Sequence, residues 1–363
     1  MNDMDRVEAL INKNRLIENI ETLIKHIKPK KILAMLKGNA YGHGLIEVAE
    51  IIRPLVYGFG LASLNEAEKL RRSGNNDPII LMSGFVNQAQ IAQMKALNIT
   101  PVIHSEYQLN WLLNEKKPYK IDAWLKVNSG MNRLGFSLEK AKEIYQVVKN
   151  NPMCFKETIW MTHLAEGEFP DSKITQKQKN SFQSLYQSYP ADFVSMENSA
   201  ALLMDRSLPC DLVRPGAALY GISSFEALAE ITRKWFKYVL TLQTQVIAIH
   251  FIKKGETVGY NGIWKAEKDS TIAILPVGYA DGYPQATPEG TPVFINGKIA
   301  PIIGKVSMDM ISIDVTDIED VIIGNRVILW GDELPIEKVA TKIGVSPYSL
   351  VTNLSDRVIR KII

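Results

Sequence analysis

Lys37 is the residue in this chain best placed to do chemistry. It follows the apolar run Ile32-Leu33-Ala34-Met35-Leu36 and precedes Gly38-Asn39-Ala40-Tyr41-Gly42-His43-Gly44. A lysine at a strand end, partly withdrawn from water, can lose its proton and form a Schiff base with a carbonyl. Position alone equally suits a surface lysine; the glycine- and aromatic-bearing stretch beside it favours the functional reading. His163 in Met161-Thr162-His163-Leu164 and Tyr260 in Val258-Gly259-Tyr260-Asn261-Gly262 are further candidates. Read alone, they are a structural histidine and a turn tyrosine. The sequence has no His-Glu-x-x-His and no cysteine cluster, so no metal site is expected.

These residues need a scaffold that brings strand ends together. Strand-like runs near 31–36, 57–61, 78–82, 100–103, 121–127, 158–162, 192–196 and 211–214 alternate with helical patterns. Leu16, Ile20, Leu23, Ile24 and Ile27 recur at helical spacing, as do Leu45, Val48, Ala49 and Ile52. Ser63–Glu66 and Ser105–Gln108 read as capping boxes, and Gly74 as a helix stop. Eight strand–helix units predict an α/β domain, a (β/α)8 TIM-type barrel, over residues 1–230. Lys37 would then stand at the C-terminal end of the first barrel strand, where barrel enzymes keep their active sites. A doubly wound sheet is the competitor, but Gly58-Phe59-Gly60 lacks the third glycine of a dinucleotide fingerprint and reads as a close-packed strand. After about residue 230 the pattern changes to period two. Strands are expected at 240–246, 271–277, 291–295, 299–303, 311–315 and 326–330, with a hairpin turn at Asn296-Gly297. Residues 231–363 therefore read as a mostly β domain.

Composition bounds the partners. The 363 residues are 46% hydrophobic and 22% charged, with a net charge of +3. That balance does not announce nucleic acid or an anionic membrane. The basic run Lys25–Lys31 reads as the cationic end of a helix. Cys154 and Cys210 form no disulfide framework, and the acidic start Met1–Asp5 lacks the apolar segment of a signal peptide; both fit a cytoplasmic protein.

Five strings in order carry a family resemblance: Leu36-Lys37-Gly38-Asn39-Ala40-Tyr41-Gly42-His43-Gly44, Met131-Asn132-Arg133-Leu134-Gly135, Arg214-Pro215-Gly216-Ala217-Ala218-Leu219-Tyr220-Gly221, Gly278-Tyr279-Ala280-Asp281-Gly282-Tyr283-Pro284 and Ser307-Met308-Asp309. Together they span nearly the whole chain and resemble the motifs of alanine racemases, which depend on pyridoxal 5'-phosphate (PLP) and join a barrel to a C-terminal β domain. The resemblance implies that Lys37 holds PLP and acts as the base on the D face of the substrate. Tyr260 matches the base on the L face, supplied in the family to the barrel of a partner subunit, so a homodimer with shared active sites is implied. Arg214 matches the arginine facing the pyridine nitrogen, and His163 the histidine that orients it. Arginine keeps its proton near neutrality, so the ring nitrogen stays largely unprotonated, which favours racemisation over transamination.

The remaining roles follow in the same way. The backbone N–H groups of Gly216 and Ala217, Asn198 and Ser199 at a helix start, and the hydroxyls of Tyr41 and Tyr348 would bind the phosphate. Arg133 would bind the substrate carboxylate, and Lys126 matches a lysine that is often N-carboxylated and positions that arginine. Tyr279 and Met308 would face the substrate side chain and leave room for little beyond a methyl group, which implies alanine as substrate and D-alanine for cell-wall peptidoglycan as product. The sequence departs from the pattern at Asn128-Ser129, Ser307 and Gln285. A serine or broad-specificity racemase, a basic amino-acid decarboxylase of the same barrel type, and a non-catalytic PLP-binding protein are the alternatives. The arginine at 214 weighs against the decarboxylase, and intact Lys37 and Tyr260 against the binding protein.

Overall fold

A computed structural model of the protein describes residues 6–27, 30–116, 119–204, 210–224 and 226–363. Met1–Asp5 and the Lys28-Pro29 portion of the basic run lie outside the described residues. The chain forms two compact units. One comprises Ile20–Ala40 and Leu45–Leu219; the other gathers the described residues through Asn19, Tyr41–Gly44 and Tyr220–Ile363. Segments from the start of the chain thus group with the β unit. Strand β1 (Val7–Ile11) precedes the barrel yet pairs with strands from the far end of the chain.

The barrel strands are β2 (Lys31–Met35), β3 (Gly58–Leu61), β4 (Ile79–Leu81), β5 (Ile99–Ile103), β6 (Ile121–Lys126), β7 (Phe155–Met161), β8 (Phe193–Ser195) and β9 (Leu212–Val213). Each pairs in parallel with the next from β2 to β8, and β9 returns to pair with β2. The remaining seam is drawn together by the Asp211 N–H donating to Val194 O at 2.9 Å and by a bridge between Asn198 and Arg214. This is the expected (β/α)8 topology. Leu33, Ile80, Val102, Trp124, Ile159 and Leu212 fill one buried cluster inside it, removing large apolar surface from water. Gly58 and Gly60 are close-packing positions. A Cβ on Gly58 would lie 2.5 Å from Pro78 O, and one on Gly60 would lie 2.5 Å from Met35 Sδ.

Local chemistry sets the helix ends. Ser63 caps the helix Leu64–Arg72 by accepting from the Glu66 N–H, as its capping box predicts. The second box does not form. Ser105 Oγ turns to His104 Nδ1 at 2.8 Å, and Gln108 Oε1 accepts from the His104 N–H at 2.9 Å. The neighbouring histidine outcompetes the helix for both side chains.

In the other unit, β10 (Leu240–Gln245), β11 (Ala248–Ile252), β14 (Ser270–Leu275), β15 (Pro292–Ile295), β16 (Lys298–Ile303), β17 (Ile311–Asp314), β18 (Arg326–Trp330) and β19 (Ile359–Ile362) join β1 in one sheet, in the order β11-β14-β17-β16-β15-β18-β10-β1-β19. The short β12 (Thr257–Val258) and β13 (Trp264–Lys265) pair separately. Asn296 and Gly297 make the β15–β16 hairpin with φ of 46° and 77°, the left-handed geometry their types tolerate. Among the described residues, no helix is long and apolar enough to cross a membrane.

Candidate active site

Lys37 stands two residues beyond β2, at the C-terminal mouth of the barrel. The chain leaves it through a left-handed turn: Gly38, Asn39, Ala40 and Tyr41 have φ of 64°, 54°, 54° and 52°. Three of these residues carry a Cβ, and each costs on the order of 1 kcal/mol or more in this region. Specific bonds hold the turn. The Ala40 N–H donates to Leu36 O at 2.8 Å, the Asn39 N–H donates to Glu66 Oε1 at 3.1 Å, and Asn39 Oδ1 accepts from the Leu45 N–H at 2.9 Å. Part of the lysine side chain reaches solvent at the mouth. Its ammonium nevertheless loses hydration among barrel atoms, and with the guanidinium of Arg133 nearby its pKa is drawn below the ordinary lysine value. Both effects favour the neutral amine, the form that attacks a carbonyl or accepts a proton.

The surroundings of Lys37 are cationic. Lys126, the last residue of β6, is 6% exposed, and its pKa falls to about 7 through desolvation and then through Arg214, Arg133 and Lys37. Arg214 is buried, and burial lowers it to about 10, so it stays protonated at neutral pH. Its guanidinium donates to Ser195 Oγ and to the carbonyls of Thr162 (2.6 Å) and Met196 (3.3 Å). Thr162 is itself fixed, since its hydroxyl donates to Val127 O at 2.9 Å and meets Ser129 Oγ at 2.7 Å. Those anchors escaped the sequence reading because they come from neighbouring strands and have no motif of their own. His163 is lowered to about 2 by desolvation and by the same cations, so its ring is neutral and a donor as well as an acceptor. Arg133 is exposed on the loop after β6.

A second feature gathers hydrogen-bonding groups at a helix start. Ser199 opens the helix Ser199–Met204, and its Oγ accepts from the Gly216 N–H at 2.8 Å and the Ala218 N–H at 3.2 Å. The amide of Ala218 thus joins that of Gly216 at this hydroxyl. Asn198 Oδ1 accepts from the Ala201 N–H at 3.0 Å and caps that helix. Amides and a hydroxyl gathered at one point fit a phosphate, and the cations around Lys37 fit further anionic groups. The barrel residues thus suit an anionic aldehyde cofactor. No group of three or more His, Cys, Asp or Glu among the described residues could hold a metal ion.

The other candidates lie in the second unit. Tyr41 and Tyr348 meet edge to face with centroids 6.1 Å apart, and Tyr220, overlooked in the sequence, is 5.3 Å from Tyr41. Burial raises the Tyr41 phenol to about 12, which keeps it a hydrogen-bond donor. Tyr260 lies in a short turn after β12 and is 67% exposed. Tyr279 and Met308 are exposed too. The Tyr279 N–H donates at 3.1 Å to the carbonyl of Ser307, the residue before Met308.

A (β/α)8 barrel with an activated lysine at its mouth, followed by a β unit, defines a class of PLP-dependent enzymes. Family models for the alanine racemase N-terminal and C-terminal domains match residues 11–224 and 239–362. An alanine racemase of Coxiella burnetii is 39% identical over 360 residues, 98% of each chain. The biosynthetic alanine racemase of Pseudomonas aeruginosa superposes with a TM-score of 0.92 at 31% identity over 99% of this chain and 100% of that one. An alanine racemase of Bartonella henselae with covalently bound pyridoxal phosphate gives 0.87 at 30% identity, again over 99% and 100%. The chain belongs to the alanine racemase family, the PLP-dependent isomerases that interconvert L- and D-alanine.

Proposed function

We propose that this chain racemises alanine with two bases, Lys37 and Tyr260, drawn from two copies of the chain. The observation that carries the reading is the lysine at the barrel mouth whose charge is disfavoured by desolvation and by neighbouring cations. Lys37 would hold PLP, with Ser199 and the amides of Gly216 and Ala217, together with Asn198, Tyr41 and Tyr348, around its phosphate. When bound, the cofactor supplies acidity at the substrate Cα–H by delocalising the electron pair left behind. The proton work belongs to the protein. The amine of Lys37 takes or returns the proton on the D face, and the phenol of Tyr260 does so on the L face. Two bases on opposite faces need no group to cross the substrate.

Arg214 would face the ring nitrogen and leave it unprotonated, with His163 helping to orient the guanidinium. Arg133 would bind the substrate carboxylate through its planar fork. Lys126 is suited to N-carboxylation. Its pKa near 7 supplies the neutral amine, whose nitrogen bonds the carbon of carbon dioxide and releases one N–H proton to water, leaving a carbamate anion beside the cations Arg214, Arg133 and Lys37. Tyr279 and Met308 would limit the side-chain pocket to a methyl group. The exposure of Tyr260, Tyr279 and Met308 suits surfaces that a second copy covers, which supports a homodimer. D-alanine for peptidoglycan, made in the cytoplasm, is the role that follows.

A coupled assay for D-alanine formed from L-alanine tests the activity, with Lys37→Ala as control. Turnover in the unaltered chain and none in the variant supports the reading. A PLP-loaded protein with no turnover in either direction would show a binding protein instead.

A further inference from the structure

The two loops that carry Tyr279 and Met308 are tied together by a quartet of charges. Asp281 is 1% exposed. Its Oδ2 accepts from the Gly278 N–H at 2.9 Å and from Arg6 Nη2 at 2.7 Å. Its Oδ1 has no hydrogen bond and faces Arg357 Nε at 3.4 Å. Arg357 Nη2 in turn donates to Asp309 Oδ1 at 2.6 Å, and Arg6 Nη1 lies 3.6 Å from the same oxygen. Arg6 also donates through Nε to Pro276 O at 3.1 Å. Two arginines thus bridge a carboxylate in the Tyr279 turn to the carboxylate that follows Met308.

The backbones of the two loops are already close. The Tyr279 N–H donates to Ser307 O at 3.1 Å and the Ala280 N–H to Met308 O at 3.0 Å. Gly278 allows this approach, because a Cβ there would lie 2.3 Å from both Ser307 O and Met308 O. Tyr279 and Met308 are exposed on this unit, so core packing does not fix them. Their position relative to each other is left to the backbone pairing and the charges. A buried carboxylate held by two arginines resists displacement, because separating any partner leaves an uncompensated charge.

We propose that Asp281, with Arg6, Arg357 and Asp309, is a positioning residue that sets how large a substrate side chain is accepted by locking the Tyr279 turn against the Met308 loop. The inference rests on the reading that Tyr279 and Met308 face the substrate side chain. Loosening the lock widens the space between them, which admits an extra methylene more than it harms alanine. A pocket of this kind discriminates one methylene by about 10- to 200-fold, and a mobile wall forfeits part of that.

The test compares kcat/KM for alanine and 2-aminobutyrate in the PLP-loaded enzyme. Asp281→Asn and Asp309→Asn are each expected to lower the alanine preference by about fivefold, with Arg357→Lys between them and the unaltered chain. A purely structural role would lower the melting temperature and leave that ratio unchanged; folded variants with an unchanged ratio overturn the proposal. If Asp281→Asn does not fold, the exposed Asp309→Asn decides it alone. Met308→Ala separates the two levels. If it leaves the preference unchanged, the underlying pocket assignment fails. If it shifts the preference while Asp309→Asn does not, only the charge lock fails.

Discussion

The candidate residues of the barrel and those of the β unit stand in opposite physical surroundings. Around Lys37 the barrel collects Lys126, Arg133 and Arg214, and loss of hydration is the main reason that the pKa values of Lys37, Lys126 and Arg214 are drawn down. In the β unit, Tyr260, Tyr279 and Met308 stand at the surface, 67%, 37% and 53% exposed. The barrel residues gather cations that suit anions. The β half carries a phenol and apolar bulk and is complementary to a covering surface.

The comparison can be broken most severely at Lys37. Lys37→Ala should lower racemisation by roughly a thousandfold or more in both directions, read in the coupled D-alanine assay. Tyr260→Phe should lower it by about a hundredfold or more in both directions, while α-proton exchange is lost on one enantiomer only. In deuterated water the variant should still exchange the α-proton of D-alanine while losing exchange on L-alanine. Equal loss on both enantiomers would contradict separate faces.

Ser195→Ala removes one anchor of the buried Arg214 guanidinium and should lower kcat about tenfold, with a smaller change in KM. Lys126 gives a pH signature. Its pKa is about 7 in the folded chain, against the ordinary lysine value when unfolded. The unfolded chain therefore binds the proton more tightly. The penalty is complete below about pH 7 and fades as pH rises toward the ordinary lysine range. Denaturation in buffer free of carbon dioxide should show stability climbing across that window, and Lys126→Met should flatten the climb. The smallest effect is expected at Gly38, where Gly38→Ala adds a Cβ at φ 64° and should cost about 1 kcal/mol by the same measurement.

Much of the barrel was legible because its strands are short apolar runs between helical periods, and Lys37 could be placed at a strand end from that pattern. Strand β1 was not legible. Glu8 is its second residue yet is buried, satisfied by Gln243 at 3.1 Å and by Lys361, partners that only folding supplies. Strand β19, Ile-Arg-Lys-Ile, hides behind its charges for the same reason. The edge strand β11 keeps Phe251 84% exposed and shows no clean alternation. In the site, residues inside motifs could be named, but the Thr162 carbonyl, Ser195 and the Arg6–Asp281–Arg357–Asp309 quartet could not. Their function lies in contacts between segments far apart in sequence.

In the proposed dimer, one chain's Lys37 works with another chain's Tyr260. Mixing Lys37→Ala with Tyr260→Phe under conditions that exchange subunits tests it directly. Random exchange makes half the dimers mixed, and a shared site leaves one of their two sites intact, so about a quarter of the unaltered activity should return. If both residues act within one chain, every site carries a defect and mixing restores nothing.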